Sequence, residues 1–493
     1  MRQASNTGKE GSVKRNVVES DGDAASISAL HKAFERQKKA FLAHPYPSLE
    51  ERKANLDKLC GMLLSNRERI RKAMASDFAV HHGLATDILE ILKIVDTTVF
   101  VMSSLENWMR DEVREVDANM WGNGKAVMRY QPKGVIGNIV PWNFPLEIAF
   151  GCLAEMLAAG NRVIIKPSDI APACSEVIHD LVKETYDPDL VTVVTGGLGL
   201  AKEFITLPWD HLMYTGNPRI GREVMKAAAA NLVPVTLELG GKCPAILMED
   251  TVDMDTVRQV IGIKTIKNGQ LCISVDFCLV PRKSMDKFVQ LAKQYVHESM
   301  PDYSRTDNCT GIINEHHFDR LLKLLDQALK AGCKVIELEE GGVVDRPTRR
   351  IPIMLVLDPG DELGIMQEEI FGPIVPVKPY DTLDQAIDYV NAHERPLALY
   401  VFGHDQEKVD RVITKTSSGG VSVNCCMMHA TLPSVGFGGS GMSGMGYHHG
   451  IEGFREYSKL RGVFVRGDQP DIIEMTFAPY GEKLANFVNP WFG

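Results

Sequence analysis

The sequence predicts an α/β fold in which two domains each contain a mostly parallel sheet covered by helices. Two observations predict it. Between residues 133 and 239, short segments rich in β-branched residues alternate with amphipathic helical patterns. The same alternation restarts after Lys242. Because strand–helix–strand crossovers are right-handed, the first region is predicted to form a doubly wound sheet with ligand sites at the carboxyl ends of its strands.

Bulk properties indicate a protein that acts on a small molecule. The 493 residues are enough for two or more domains. The formal net charge of −10 argues against nucleic acid as a partner, because phosphate binding needs a basic face. No apolar run reaches the roughly 18 residues of a membrane helix, and the N-terminus lacks a signal-peptide pattern. We therefore expect a cytoplasmic location and no membrane contact.

The cysteines and histidines show no metal-site spacing. The 10 cysteines are irregularly placed and include no Cys-x-x-Cys pair, so reduced thiols and no metal are expected. The pairs His81-His82, His316-His317 and His448-His449 lack ligand companions. They are expected on the surface or in loops.

The first hundred residues are predicted to be mostly helical. Residues 1–25 are polar and of mixed charge, which predicts a disordered tail. Apolar residues at helical spacing predict a helix over residues 27–41. Ser48 and Glu51 have the spacing of a capping box and open a second, longer helix. A third is expected over residues 85–110.

The alternating regions can be divided into elements. In the first region, the predicted strands are Val135–Val140, Arg162–Lys166, Leu190–Val194, His211–Tyr214 and Val233–Leu239, and the predicted helices are Pro145–Ala159, Pro172–Glu184, 199–206 and Arg219–Ala230. In the second, the predicted strands are Pro244–Met248, Phe277–Pro281 and Val335–Leu338, and the predicted helices are Met254–Lys267, Ser284–His297 and His317–Ala331. The β-like segments 112–131 and 461–466 remain and are predicted to form a ribbon that pairs with another subunit.

A cysteine and a glutamate are expected to meet where the two regions join. Cys272 ends the polar turn Asn268-Gly269-Gln270-Leu271-Cys272, and Glu238 lies at the end of a strand before two glycines. A thiolate can attack an electrophilic carbon, and a carboxylate can activate water to release the acyl group. Taken alone, a cysteine in a large protein is more often a small buried apolar residue.

Three polar stretches follow predicted strands. Asn143, in Pro-Trp-Asn-Phe-Pro, can stabilise an oxyanion with its amide, although an asparagine turn before a helix is equally common. Lys166 and Ser168 can hydrogen-bond the hydroxyls of an adenosine ribose, and Asp169 would repel a 2′-phosphate, which favours NAD over NADP. The stretch Tyr214–Gly221 runs into a helix whose N-terminus suits a pyrophosphate.

Two later stretches are less specific. Glu369 could bind a ribose diol and Phe371 could pack on a planar ring, but such a hexapeptide is more often only a turn. The glycine-rich run Gly436–Gly446 looks like a phosphate loop but lacks the following Lys-Ser/Thr and the preceding strand. We expect it to be a flexible loop near the active site.

Together these segments resemble the aldehyde dehydrogenase superfamily, in the family's order and near its spacing. The resemblance covers about residues 28–465. Within the superfamily, residues 34–43 and 231–238 are similar to the coniferyl aldehyde dehydrogenase group. The motifs are Pro-Trp-Asn-Phe-Pro, Lys-Pro-Ser-acid, Thr-Gly-Asn-x-x-x-Gly, Glu-Leu-Gly-Gly-Lys, Gly-Gln-x-Cys, Glu-Glu-Ile-Phe-Gly-Pro and the stretch Phe437–Gly450.

The resemblance implies NAD(P)-dependent oxidation of an aldehyde, aromatic and coniferyl-aldehyde-like or of medium chain length, to its acid. Cys272 would form a thiohemiacetal and then a thioester. Asn143, with the backbone N–H of Cys272, would hold the oxyanion. Glu238 would activate the water that hydrolyses the thioester.

The resemblance also implies a cofactor site. Lys166, Ser168 and Asp169 would hold the adenine ribose of NAD, and Glu369 and Phe371 would position the nicotinamide half. Asp169 stands where the family more often has glutamate, so NADP remains possible. The other implied contacts are Pro141, Trp142, Gly199, Thr215, Gly216, Asn217, Ile220, Gly221, Leu239 and Gly240.

The domain organisation follows from the same resemblance. It implies an aldehyde dehydrogenase-like α/β fold with a Rossmann-type NAD-binding domain over residues 26–111 and 133–239. A second α/β, catalytic domain would cover residues 240–440. Residues 112–132 and 455–493 would supply a small β-ribbon oligomerisation element and a C-terminal tail, in a homodimer.

Three alternatives remain open. A CoA-acylating aldehyde dehydrogenase would keep the fold, but Glu238 favours hydrolysis over transfer to a thiol. A non-catalytic protein on the same scaffold would not need Cys272, Glu238 and Asn143 together. A Cys–His hydrolase is a poorer interpretation, because no histidine lies in the stretches around those three residues. The residues flanking Cys272, with Cys425, Met427 and Met428, are expected to shape the aldehyde tunnel.

Overall fold

Strands and helices alternate through both α/β regions of the computed structural model, which describes residues 23–492. The strands are β1 (Glu112–Arg114), β2 (Lys125–Pro132), β3 (Val135–Ile139), β4 (Arg162–Lys166), β5 (Val191–Val193), β6 (His211–Gly216), β7 (Val235–Leu239), β8 (Pro244–Leu247), β9 (Phe277–Pro281), β10 (Lys334–Glu337), β11 (Met354–Leu357), β12 (Ile374–Tyr380), β13 (Ala398–Phe402), β14 (Gly420–Val423), β15 (Gly444–Met445) and β16 (Ser458–Val465). The helices are α1 (Ala24–Ala43), α2 (Leu49–Ser65), α3 (Arg67–Asp77), α4 (Gly83–Thr86), α5 (Lys93–Trp108), α6 (Ala118–Trp121), α7 (Pro145–Ala158), α8 (Pro172–Thr185), α9 (Leu198–Phe204), α10 (Pro218–Ala229), α11 (Met254–Thr265), α12 (Met285–Ser299), α13 (Glu315–Lys330), α14 (Gly364–Gln367), α15 (Leu383–Asn391), α16 (Gln406–Lys415), α17 (Met428–Thr431), α18 (Gly450–Glu456) and α19 (Glu482–Val488).

The first sheet has the strand order β15-β7-β6-β3-β4-β5, with β3 to β7 parallel and β15 antiparallel. Its register aligns Ile139 with Lys166 on one side and with Tyr214 on the other. Tyr214 is in turn aligned with Leu237. The carboxyl ends of β3, β4, β6 and β7 therefore meet at one edge, as the predicted doubly wound sheet requires.

The second sheet has the order β10-β11-β12-β9-β8-β13-β14 and is parallel except for β10. A third, antiparallel sheet of order β1-β2-β16 forms the ribbon that the segments 112–131 and 461–466 predict. The predicted fold class, two α/β units with a small β-ribbon, is confirmed.

Local sequence signals explain where several helices begin. The Ser48 hydroxyl accepts the Glu51 N–H while the Glu51 carboxylate accepts the Ser48 N–H, so the predicted capping box opens α2. Pro145 occupies the first turn of α7, where its missing N–H costs nothing. Of the predicted tail 1–25, residues 1–22 lie outside the described part of the chain. The prediction is too long at its end, because α1 already begins at Ala24.

The predicted helix Met254–Lys267 is too long by two residues. Helix α11 ends at Thr265, because Lys267 and Asn268 adopt left-handed backbone conformations with φ of 47° and 53°. Non-glycine residues seldom adopt such angles, and they concentrate at functional sites. The break directs the chain into the Cys272 turn.

The glycine-rich run is more ordered than the flexible loop that its sequence predicts. Gly444 in β15 pairs with Glu238 of β7. Gly444 has φ of +141°, and a Cβ there would lie 2.1 Å from the Leu237 carbonyl oxygen. Glycine is therefore required at this position for strands β15 and β7 to approach each other.

Across residues 23–492, no helix combines the length and the apolar character needed to cross a membrane.

Replacing Gly444 with alanine is expected to lower the stability by about 2–4 kcal/mol, because the new methyl group overlaps a backbone carbonyl in a strained conformation. Gly332→Ala is the matched control, since Gly332 also has positive φ but nothing within 4 Å of a Cβ. Its expected cost is about 1–2 kcal/mol. Thermal unfolding of both variants at one scan rate measures the difference. Equal losses would show that contact with Leu237 contributes nothing.

Candidate active site

The site lies where edges of the two sheets face each other. Strand β7 ends at Leu239, and the chain crosses through Gly240 and Gly241 into β8. Cys272 precedes β9, the neighbour of β8, so it lies at the amino edge of the second sheet. The carboxyl edge of the first sheet thus faces the amino edge of the second, and the cavity between them has a volume of about 2540 Å³.

Most of the residues predicted for the site line this one cavity, although they come from many separate segments of the chain. Among the predicted catalytic residues they are Cys272, Glu238 and Asn143. Among the predicted cofactor residues they are Pro141, Trp142, Lys166, Ser168, Asp169, Thr215, Gly216, Asn217, Ile220, Leu239, Gly240, Glu369 and Phe371.

Two predicted cofactor residues do not line the cavity. The Gly199 N–H donates to Asp23 Oδ2 at 2.9 Å. Gly221 lies in the first turn of α10 on its buried side, where a Cβ would lie 2.8 Å from the Leu239 side chain. Both glycines therefore have packing roles that their sequence context did not indicate.

The turn that carries Cys272 is held by buried amides. Gln270 Nε2 donates to the carbonyls of Lys267, at 2.8 Å, and Gly311, at 3.0 Å, and its Oε1 accepts the Ile313 N–H at 2.9 Å. Asn268 Nδ2 donates to the Ile351 carbonyl at 3.1 Å. The side chains before Cys272 are thus structural, and they fix the backbone on which the sulfur sits.

A buried ion pair supports Asn143. Lys267 pairs with Glu90, and both side chains are fully buried. Lys267 Nζ also donates to the Asn143 carbonyl at 2.5 Å, while Glu90 Oε2 accepts the N–H groups of Leu146 and Glu147 at the start of α7. Asn143 Nδ2 donates to the Gln270 carbonyl at 3.2 Å. The amide predicted to hold an oxyanion is thereby tied to the Cys272 turn.

Negative charge is disfavoured in the part of the cavity where Cys272, Glu238 and Glu369 lie. Burial, with a smaller contribution from Glu147, raises the pKa of Glu238 well above its usual range. Burial raises the pKa of Glu369 to about 8. Burial is the main cause of the raised pKa of the Cys272 thiol, and the carboxyls of Glu238 and Glu369 raise it further. Glu238 is only 2% exposed, and neither of its carboxyl oxygens has a hydrogen-bond partner in the protein. It is therefore placed to bond a water or substrate.

The opposite end of the cavity is polar and suits a nucleotide. Burial lowers the pKa of Lys166, and Asp169 partly offsets this effect. The Asn217 side-chain oxygen caps α10 by accepting the Ile220 N–H at 3.0 Å, so the backbone amide of Ile220, predicted to bind the pyrophosphate, already has a partner. Thr215 Oγ1 is buried and has no hydrogen-bond partner within residues 23–492.

The residues present fit NAD or NADP. Glu369 Oε1 is another buried oxygen without a partner. Trp142 and Phe371 stack edge to face at 5.3 Å, and Gly240 leaves space that a Cβ would close, 2.1 Å from the Glu369 carboxylate. Lys166 and Ser168 would hold the ribose, and Glu369 with Phe371 the nicotinamide half. No cluster of three or more possible metal ligands occurs within residues 23–492.

An apolar wall completes the cavity on the side of helices α4 and α5. Met427 and Met428 belong to it as expected, as do Leu271 and Ile273 beside the nucleophile, whereas Cys425 does not line the cavity. The further apolar members are Leu84, Ile88, Leu89, Leu92, Phe144, Ile148 and Phe437.

Three of the histidines expected on the surface or in loops lie in loops but are buried. His81 is 6%, His448 1% and His449 4% exposed. His448 and His449 line the cavity, and His449 Nε2 lies 3.6 Å from Glu147 Oε1. The sulfur beside His448 is that of Cys152, at 3.9 Å. Packing of the glycine-rich stretch against α7 buries the pair, and spacing alone did not show this.

Sequence reasoning also missed Glu147, Glu90 and Lys267. Glu147 lies in the first turn of α7, the helix predicted to follow Asn143 directly, and this is a usable signal that it faces the same cavity. Glu90 and Lys267 had no signal, because 177 positions separate them. All ten cysteines are free thiols, as expected.

Removing one partner of the Lys267–Glu90 pair should be costly, because the other charge stays buried and unpaired. We expect Lys267→Met or Glu90→Gln to destabilise the protein by about 3–5 kcal/mol, and the double variant by less than the sum. Lys226→Met, which breaks an exposed pair with Glu223, should cost less than about 1 kcal/mol. Urea unfolding of the four variants measures the coupling. Additive losses would show that the pair has no mutual stabilisation.

Comparison with known proteins agrees with the site. The aldehyde dehydrogenase family matches residues 16–463. A probable coniferyl aldehyde dehydrogenase of Caulobacter vibrioides is 38% identical over 470 residues, which cover 94% of this chain and 97% of that protein. A coniferyl aldehyde dehydrogenase of a Pseudomonas species is 38% identical over 473 residues, covering 95% and 97%.

A solved structure shares the whole fold. The substrate-bound state of Staphylococcus aureus AldH superposes with a TM-score of 0.87 at 30% identity, covering 94% of this chain and 99% of that one. With its two facing sheets and its match along nearly the whole sequence, the chain belongs to the aldehyde dehydrogenase family, whose members oxidise aldehydes with NAD or NADP.

Proposed function

We propose that Cys272, Asn143 and Glu238 carry out the aldehyde oxidation, with water as the final acyl acceptor. The observation that supports this best is their arrangement. A thiol, an amide and a buried carboxyl without partners line one cavity between the sheets, and the amide is tied to the turn of the thiol. A binding protein would not need this set.

In the first step the Cys272 sulfur bonds to the aldehyde carbon, and its proton passes to a nearby carboxylate. The aldehyde oxygen gains negative charge and accepts hydrogen bonds from Asn143 Nδ2 and the Cys272 N–H. Because burial, and then the nearby carboxyls, raise the pKa of the free thiol, these donors matter most as the charge moves from sulfur to oxygen. The same carbon would then lose a hydride to a bound nicotinamide, which leaves a thioester on Cys272.

In the second step Glu238 removes a proton from water while the water oxygen bonds to the acyl carbon on Cys272. The carbon–sulfur bond then breaks, which releases the acid and a Cys272 thiolate that regains a proton from the protonated carboxyl. The raised pKa of Glu238 makes it a stronger base than an exposed glutamate once it is ionised. A base so placed favours hydrolysis over transfer to CoA, which is the runner-up function.

For the substrate we propose an aromatic aldehyde similar to coniferyl aldehyde, or one of medium chain length. The apolar wall built by α4, by residues 87–92 between α4 and α5, and by the loop around Met427 and Met428 suits an extended apolar group. The names of the two relatives point the same way.

We further propose a cytoplasmic homodimer built on the ribbon. Strand β16 exposes apolar side chains, with Leu460 47%, Phe464 45% and Val465 59% exposed. Such side chains on a paired edge strand favour contact with a second copy. The domain limits predicted above complete the proposal: an NAD-binding domain over 26–111 and 133–239, and a catalytic domain over 240–440.

Absorbance of reduced nicotinamide tests the reaction directly. We expect CoA-independent NAD or NADP reduction with coniferyl, benzyl-type or straight-chain aldehydes, and no measurable oxidation by Cys272→Ala, which should still bind NAD. Ser274→Ala, which changes another buried residue of the same turn, is the matched control and should keep activity. Turnover by Cys272→Ala would refute the covalent mechanism, and a strict need for CoA would favour the acylating alternative.

Glu238→Gln should slow hydrolysis more than acylation. We expect a labelled acyl-enzyme to accumulate and to be detected by intact mass spectrometry, with turnover falling about 10²–10⁴-fold. In the wild type, hydrolysis should accelerate as the pH rises, because the raised pKa delays ionisation of Glu238. The variant should lose that pH dependence. A fall in turnover without an acyl-enzyme would assign Glu238 a different role.

A further inference from the structure

Asp23, the residue before α1, places a carboxylate on backbone amides at the start of α9. Its oxygens accept the N–H groups of Gly197 and Gly199, each at 2.9 Å, and of Leu200 at 3.3 Å. A Cβ on Gly199 would lie 2.7 Å from the Asp23 carboxylate, and one on Gly196 2.9 Å. The segment is thus shaped around this one carboxylate.

The same segment lies beside the ribose end of the cavity. Strands β4 and β5 are neighbours, and the Val194 N–H donates to the Ile165 carbonyl at 2.9 Å, one residue before Lys166. The chain leaving β5 therefore passes the end of β4. Leu198, between the Gly197 and Gly199 amides, and Ala201, directly after Leu200, line the cavity together with Lys166.

The segments at the Lys166 end of the cavity carry two carboxylates, Asp23 and Asp169, beside one lysine. The Gly197 amide is the main cause, and Lys166 a smaller one, of the lowered pKa of Asp23. Asp23 is therefore ionised at neutral pH. Asp169 lines the same cavity as Lys166, and Asp23 binds amides of the segment that passes Lys166.

We propose that Asp23 is a specificity-determining residue that disfavours NADP relative to NAD. A 2′-phosphate carries a charge of about −1.5 to −2 and needs cations or free amides around it. Asp23 adds negative charge to the segment that passes Lys166 and occupies three of its amides. The inference rests on the proposed placement of the adenine ribose at Lys166, Ser168 and Asp169.

A purely structural role for Asp23 makes a different prediction. The carboxylate also ties α1 to α9, as does the contact between His31 Nε2 and Glu203 Oε1 at 2.8 Å. If holding α1 against α9 were the only role of Asp23, its loss would weaken the binding of NAD and NADP equally. Loss of the Glu203 contact would have the same effect.

The test compares three single variants of the full chain: Asp23→Asn, Asp169→Asn and Glu203→Gln. Asparagine keeps one acceptor oxygen, so Asp23→Asn removes the charge and retains part of the cap, either the bond from Gly197 or those from Gly199 and Leu200. We expect its kcat/KM with NADP to rise about three- to tenfold through KM, with NAD changed less than about twofold. Glu203→Gln should leave the ratio of the two cofactors unchanged. High salt should reduce the wild-type preference.

Titration calorimetry with NAD and NADP gives the same ratio without turnover, so it tests the inference even if no aldehyde is oxidised. The proposal would be overturned if Asp23→Asn left the ratio of NAD affinity to NADP affinity unchanged, which includes an equal loss of affinity for both cofactors. If Asp169→Asn alone shifts the ratio, the ribose placement stands and the role of Asp23 fails. If neither shifts it, both fail, while CoA-independent oxidation would leave the proposed function intact.

Discussion

The buried ion pair of Lys267 and Glu90 is the contact on which the geometry of the cavity depends. It joins the turn before Cys272 to the start of α7, and Lys267 also bonds the carbonyl of Asn143. Two charges without solvent hold their positions only when every remaining donor and acceptor is satisfied. The left-handed backbone at Lys267 is the conformational cost of directing its side chain into this site.

Around this pair the protein separates two electrostatic regions. Around Cys272, burial is the main cause of the raised pKa values of Glu238, Glu369 and the thiol, and neighbouring carboxyls raise them further, so negative charge is disfavoured there. Around Lys166, the carboxylate of Asp169 lines the cavity and that of Asp23 binds the adjoining segment. The first arrangement suits acyl transfer, and the second suits a dinucleotide with free ribose hydroxyls.

The cleft also explains why the motifs lie so far apart in the chain. Parallel strands end at the same edge of a sheet, which brings Asn143, Lys166, Thr215 and Glu238 together. Cys272, the proposed nucleophile, comes from the facing edge of the second sheet, before β9. Each sheet therefore contributes a different part of the chemistry, and the crossing at Gly240 and Gly241 sets their distance.

The sequence by itself determined the alternation of strands and helices, the ribbon, the family and most residues that line the cavity, because these follow from local periodicity and short motifs. Only the tertiary structure decided that His448 and His449 are buried, that Gly444 pairs with Glu238, and that α11 ends before Lys267. It alone revealed the contacts of Asp23 with Gly199 and of Glu90 with Lys267. The physical reason is that such contacts join segments more than 170 positions apart, and only packing of the whole chain determines which charges are brought together without water.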